Sequence, residues 1–159
     1  IFKMDHPEEQ EVMNIRPAVE SGELVLDPYL EGSVCQEWID AGWVHHCHAR
    51  TAIPNNPRNT LATDENGVPG RGIQYPFKPP AQDEYHAPWD VQKLEPWKEV
   101  VRQLMRHHAA DPNGHLGQIS TEFIPNVDYG EGCKYSLFEQ GVACTEWMRS
   151  EWDKISSEA

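Results

Sequence analysis

Apolar and polar positions change period several times along the chain, and each change marks an expected element. Residues 8–20 are mildly helical, opening on Pro7 and the acidic pair Glu8-Glu9, with Pro17 as an interruption. Gly22 is followed by a strand, Glu23 to Asp27, in which Val25 and Asp27 share one face and Leu24 and Leu26 the other. Ser33 has the chemistry of a helix cap, and Val34, Trp38 and Ile39 fall on the inner side of a helix reaching Ala41. Gly42 ends it, and a second strand runs from Trp43 to Thr51. Residues 53–90 then show no sustained period and hold seven of the thirteen prolines, so they are read as one long, functional connection. From Pro96 to about Ala109 the residues Trp97, Val101, Leu104 and Met105 recur at helical spacing. Asp111-Pro-Asn-Gly114 is a turn. A third strand, Gly117 to Phe123, leads through a Pro/Gly-rich loop at 125–132 into a last helix, Tyr135 to Ile155. Leu137, Gly141, Cys144, Met148 and Trp152 form its apolar stripe.

The order is β-α-β-(long loop)-α-β-α, which predicts an α/β fold of parallel strands joined by crossover helices. Three or four such units are too few to close a barrel of eight strands. Two architectures remain, a small open sheet and the carboxyl-terminal half of a (β/α)8 TIM barrel, with 1–159 as one unit in either case. The first residue is Ile1 rather than Met, which fits a processed chain or a piece of a longer one.

Charge narrows the partners. Lys and Arg number 13 against 26 Asp and Glu, a formal net charge of −13. No basic run is present to neutralise phosphates, so nucleic acid and anionic membranes are not expected partners. No apolar run approaches the ~20 residues of a membrane span. The charged amino end, broken by Pro7, does not resemble a secretory leader. Cys35, Cys47, Cys133 and Cys144 show no paired spacing, so packed free thiols in a reducing, cytoplasmic setting are expected.

Candidate chemistry gathers at the strand ends. Asp27, His48 and Glu122 each close a strand-like run, and His46 shares a face with His48 as Ser120 does with Glu122. A carboxylate, an imidazole and a second carboxylate make a mixed oxygen and nitrogen donor set for a divalent cation. Each residue also has an ordinary structural role open to it. Asp27 precedes Pro28 and suits a turn, a lone His48 suits a hydrogen-bonded core, and a buried Glu122 needs a metal or an ion-pair partner. His107-His108 suits a helix carboxyl end. The aromatic residues Tyr75, Phe77, Tyr85, His86 and Trp89 are either loop anchors or a lid over a sugar ring. Glu139, Glu146, Glu151 and Asp153 read as a solvated helix face.

With Leu26-Asp-Pro-Tyr-Leu30, Val44-His-His-Cys-His48, Pro69-Gly-Arg-Gly72 and Ser120-Thr-Glu-Phe123 in this order and strand phase, residues 22–155 resemble part of a known family. They are similar to the carboxyl-terminal half of the sugar-phosphate isomerase/epimerase family of xylose-isomerase-like TIM barrels. The resemblance implies that Asp27, His48 and Glu122 are three of four ligands to a divalent metal ion (Mn, Mg, Co or Zn). It places His46 beside the metal and Arg50 or Arg58 on a sugar hydroxyl or phosphate. Leu30 stands where epimerases carry a substrate-binding histidine. The fourth ligand belongs to an earlier strand and is expected outside this chain.

The function expected is a metal-dependent isomerase or epimerase of a small sugar or polyol, moving a proton through an enediolate. Glu122 is the expected base. Two other readings stand beside it: a non-catalytic barrel-derived subunit and a metal-dependent endonuclease on the same barrel, the latter opposed by the acidic charge. Three structural expectations follow. Asp27, His48 and Glu122 converge. The loop 53–90 covers the carboxyl ends of the strands, with Arg58 or Arg71 and an aromatic near His46 and His48. The sheet edges pair with another polypeptide, with an omitted amino-terminal half, or within a homo-oligomer.

Overall fold

The computed structural model describes residues 15–52, 74–84, 86–111, 113–124 and 132–159. The described part of the expected amino-terminal helix is α1, Ile15–Glu20. The strand expected over 23–27 does not form. Val25 makes one isolated parallel bridge to Ser33, and its carbonyl accepts from Val34 N–H. The chain turns instead: Asp27 Oδ1 accepts from Tyr29 N–H at 2.9 Å and the Asp27 carbonyl from Leu30 N–H. Pro28 has no N–H for a ladder, and an aspartate side chain that captures the next backbone donor competes directly with strand pairing. Gly32, at φ +76°, closes the turn in the left-handed region that a Cβ would strain.

Helix α2, Val34–Asp40, starts where Ser33 Oγ accepts from Gln36 N–H, and it buries Ile39. Strand β1 is His46–Ala49 and β2 is Gln118–Thr121, both shorter than their apolar runs. They pair in parallel, His46 with Gln118 through Ala49 with Thr121. Between them a 3₁₀ turn, Val91–Leu94, leads into α3, Glu95–Ala110, with Pro96 in the first turn, where its missing N–H is harmless. After β2 comes α4, Leu137–Glu158, opened by a reciprocal capping box between Ser136 and Glu139. Among the described residues the fold is thus mixed α/β with a two-stranded parallel sheet.

Inward positions of the strands meet the helices. Ala49 packs with Val101 and Met105 of α3 and with Cys144 and Met148 of α4, ringed by Phe77, Trp97, Phe123 and Trp147. A smaller cluster joins Ile39, Leu104 and Leu116 to Val44 and Cys47. All four cysteines are free thiols. Cys144 is fully buried, and burial pushes its thiol up to about 12, so it behaves as a packing residue rather than a nucleophile. No helix among the described residues is long and apolar enough to cross a membrane.

Helices α3 and α4 are also joined by charge. Arg102 Nε donates to Glu151 Oε2 at 2.7 Å and its Nη1 to Glu95 Oε2 at 3.2 Å, while Lys98 Nζ donates to Glu95 Oε1 at 2.9 Å. The expected solvated face of α4 is therefore corrected at Glu151, whose side chain is only 13% exposed. Burial acts to raise the Glu95 and Glu151 carboxyls, but the hydrogen bonds from Lys98, Arg102 and Lys154 outweigh it and leave both below the usual value of 4.5. A carboxyl depressed in the folded state adds stability above its unfolded pKa and loses it as pH falls through the folded pKa. Arg102→Met should therefore lose about 1.5–3 kcal/mol at neutral pH, the range for hydrogen bonds to charged groups. Its stability should also fall less steeply than wild type below pH 4.5. Equilibrium urea unfolding across this range reads both effects, and parallel wild-type and variant profiles would exclude the network as the source.

Candidate functional site

The face of the sheet away from the helices carries His46 and His48 of β1 and Ser120 of β2. Period-2 alternation turns Cys47 and Ala49 inward and leaves His46 and His48 exposed. The parallel register then sets β2 residues beside them. His46 Nε2 lies 3.0 Å from Ser120 Oγ, and His48 Nδ1 lies 3.1 Å from Glu122 Oε2. Arg50, two residues beyond His48 in the same phase, reaches the same carboxylate oxygen with Nη2 at 2.8 Å. The two imidazoles meet edge to face with ring centroids 4.7 Å apart. Five side chains therefore form one continuous row, Ser120–His46–His48–Glu122–Arg50. It runs to the carboxyl ends of two parallel strands, the end where α/β sheets bind ligands.

Three members keep unused capacity among the described residues. Glu122 Oε1 has no partner among the described residues, because both contacts fall on Oε2. Arg50 Nε is buried and unpartnered. With Nδ1 of His48 engaged, its Nε2 has no partner among the described residues, and the side chain is 59% exposed. The row thus combines a carboxylate, two imidazoles, a hydroxyl and a guanidinium, a set of hydrogen-bond donors and acceptors able to meet an oxygen-rich molecule.

A residue that the sequence pattern did not single out holds the ends of the strands together. Gln74 is buried, and its amide brackets Ile124 with Nε2 donating to the carbonyl at 2.8 Å and Oε1 accepting from N–H at 3.1 Å. Gln74 also bridges Ala52 antiparallel, and Tyr75 N–H donates to the Thr51 carbonyl at 2.9 Å. The described end of the long loop therefore does lie across the carboxyl ends of β1 and β2, tying the segment after Arg50 to the segment after Glu122. Tyr75 is a buried anchor, 1% exposed, whose hydroxyl accepts from Asp90 N–H. It is not a lid residue. Trp89 is likewise tied down through its indole N–H to the Pro76 carbonyl.

The expected three-ligand set is not brought together. Asp27 sits in its turn, occupied by Tyr29 N–H. Among the described residues no three His, Cys, Asp or Glu side chains group to hold a metal ion. His48 and Glu122 supply two donors, and the guanidinium of Arg50 occupies the Glu122 oxygen that faces His48. These residues do not by themselves fit a divalent ion, so the chemistry below is argued from side chains alone. Arg58, Arg71, Tyr85 and the Pro69–Gly72 motif lie outside the described residues. No family model, no curated protein and no solved structure matches the chain.

Proposed function

We propose that this row is the acid–base site of an isomerase or epimerase acting on a small sugar or polyol. The observation that carries the reading is the convergence of Glu122, His48 and Arg50 at the carboxyl ends of two parallel strands, with His46 and Ser120 on the same face. Glu122 Oε1, which has no partner among the described residues, takes the proton from a carbon next to a carbonyl. Arg50 stabilises the negative charge that develops on the enediolate oxygen, as a fixed cation at the site of charge build-up does in general. His48 relays a proton between adjacent oxygens, and the His46–Ser120 pair holds a neighbouring hydroxyl. A divalent ion (Mn, Mg, Co or Zn) belongs to this reading only if donors beyond His48 and Glu122 complete its site.

A second reading, a barrel-derived subunit without catalysis, rests on Leu30, which is 57% exposed and carries no polar group at the position where epimerases hold a histidine. The experiment that separates the two follows deuterium by proton NMR. The chain is incubated in D₂O with a panel of ketoses, aldoses and their phosphates, with and without each divalent ion. Deuterium entering at the carbon beside the carbonyl supports the isomerase. No exchange with any sugar under any metal condition favours the subunit.

A further inference from the structure

One edge of the sheet and one flank of α4 together form an open groove. Two adjoining hollows of about 520 and 360 Å³ share Thr145 and Arg149 and run along β2. Their apolar walls include Phe123, Phe138, Val142, Ile119 and Trp152, and Phe138 is 78% exposed. The neighbouring edge of β2, Gln-Ile-Ser-Thr, has no other strand beside it among the described residues. It also lacks the charged residues, proline and bulge that ordinarily protect an edge from pairing.

We infer that a second copy of this chain fills the groove, the two β2 edges pairing antiparallel about a two-fold axis perpendicular to the sheet. The chain's own charge pattern supports that occupant. Helix α4 runs opposite to β2: Thr121 lies beside Gly141 and Thr145, while Ile119 shares the other hollow with Met148 and Trp152. The middle of β2 therefore lies beside the stretch 145–149 of α4. A two-fold axis between the two β2 edges, level with the middle of β2, makes the two α4 helices antiparallel and centres their contact on that same stretch. Glu146 of one copy then faces Arg149 of the other, and the pairing occurs twice, as an isologous interface requires. Both residues line the groove, and neither forms an ion pair among the described residues. A strand and helix from an unrelated polypeptide would have no reason to match this spacing. The Phe138 and Val142 side chains are covered in the same contact.

Charge swapping tests the inference on the full chain. At physiological ionic strength, sedimentation should give twice the 18.2 kDa monomer mass. E146R and R149E should each weaken self-association roughly ten-fold or more, since each places like charges opposite one another twice. Mixed together, the two variants should recover a heterodimer, because every contact is again between opposite charges. Hydrogen exchange at the Ile119–Thr121 amides should slow as the concentration rises, and circular dichroism confirms that the variants stay folded. A wild-type chain that remains monomeric at all concentrations overturns the inference. So do a dimer indifferent to E146R, and folded variants that fail to recover on mixing.

Discussion

Glu122→Gln should lower deuterium exchange into the substrate by roughly 100- to 10,000-fold, the span that a positioned general base contributes. The amide keeps the size of the carboxylate and still presents an oxygen to Arg50 and His48, so the change removes basicity more than shape. Glu122 is partly exposed, with 38% of its side chain open, and its ion pairs add little to stability. The thermal midpoint should therefore move by no more than a few degrees, which separates lost chemistry from lost fold. Arg50→Lys serves as the companion variant. Lysine keeps the charge but not the planar donor set, so its loss should be smaller than that of Glu122→Gln and should exceed that of Arg58→Lys. Exchange that persists in Glu122→Gln at the wild-type rate would remove Glu122 as the base.

Tyr75→Ala should destabilise the chain by about 3–5 kcal/mol, the range for deleting a buried aromatic side chain. Tyr75 is 1% exposed, stands edge-on to His86 with centroids 5.1 Å apart, and its hydroxyl accepts from Asp90 N–H. Tyr75→Phe isolates one part of that sum. It keeps the ring and leaves the Asp90 N–H without its acceptor, for a loss of about 1–3 kcal/mol. Urea unfolding of the two variants reads the difference directly. The alternative role, an aromatic lid over a sugar, predicts a raised KM with unchanged stability. A stable Tyr75→Ala protein would return the residue to that role.

The helices were legible because their signals are local. Pro96 and the recurrence of Trp97, Val101, Leu104 and Met105 placed α3 within a residue or two of its observed span, Glu95–Ala110. The Cys144 and Met148 stripe identified the buried side of α4. Strand phase was equally local: two-residue alternation put His46 with His48, and Ser120 with Glu122, before any pairing was known. The strand over 23–27 failed for a local reason as well, since Pro28 and the Asp27 side chain favoured a turn over the alternation of the preceding residues. Of Leu24, Val25 and Leu26, only Val25 makes a bridge among the described residues, to Ser33.

By itself, then, the amino-acid sequence determined the periods of α3, α4, β1 and β2 and the faces on which their polar residues fall, because φ/ψ preferences and side-chain spacing act over a few residues. Tertiary structure decided which faces meet. Register alone put His48 3.1 Å from Glu122 across 74 residues, gave Arg50 the same oxygen, and left Asp27 in a turn outside that row. Gln74 acquired its role only there, since an amide in a loop carries no spacing signal and becomes a clamp only when Ile124 arrives beside it. Contacts between residues far apart in the chain depend on how the helices pack against the sheet, and no local pattern encodes that packing.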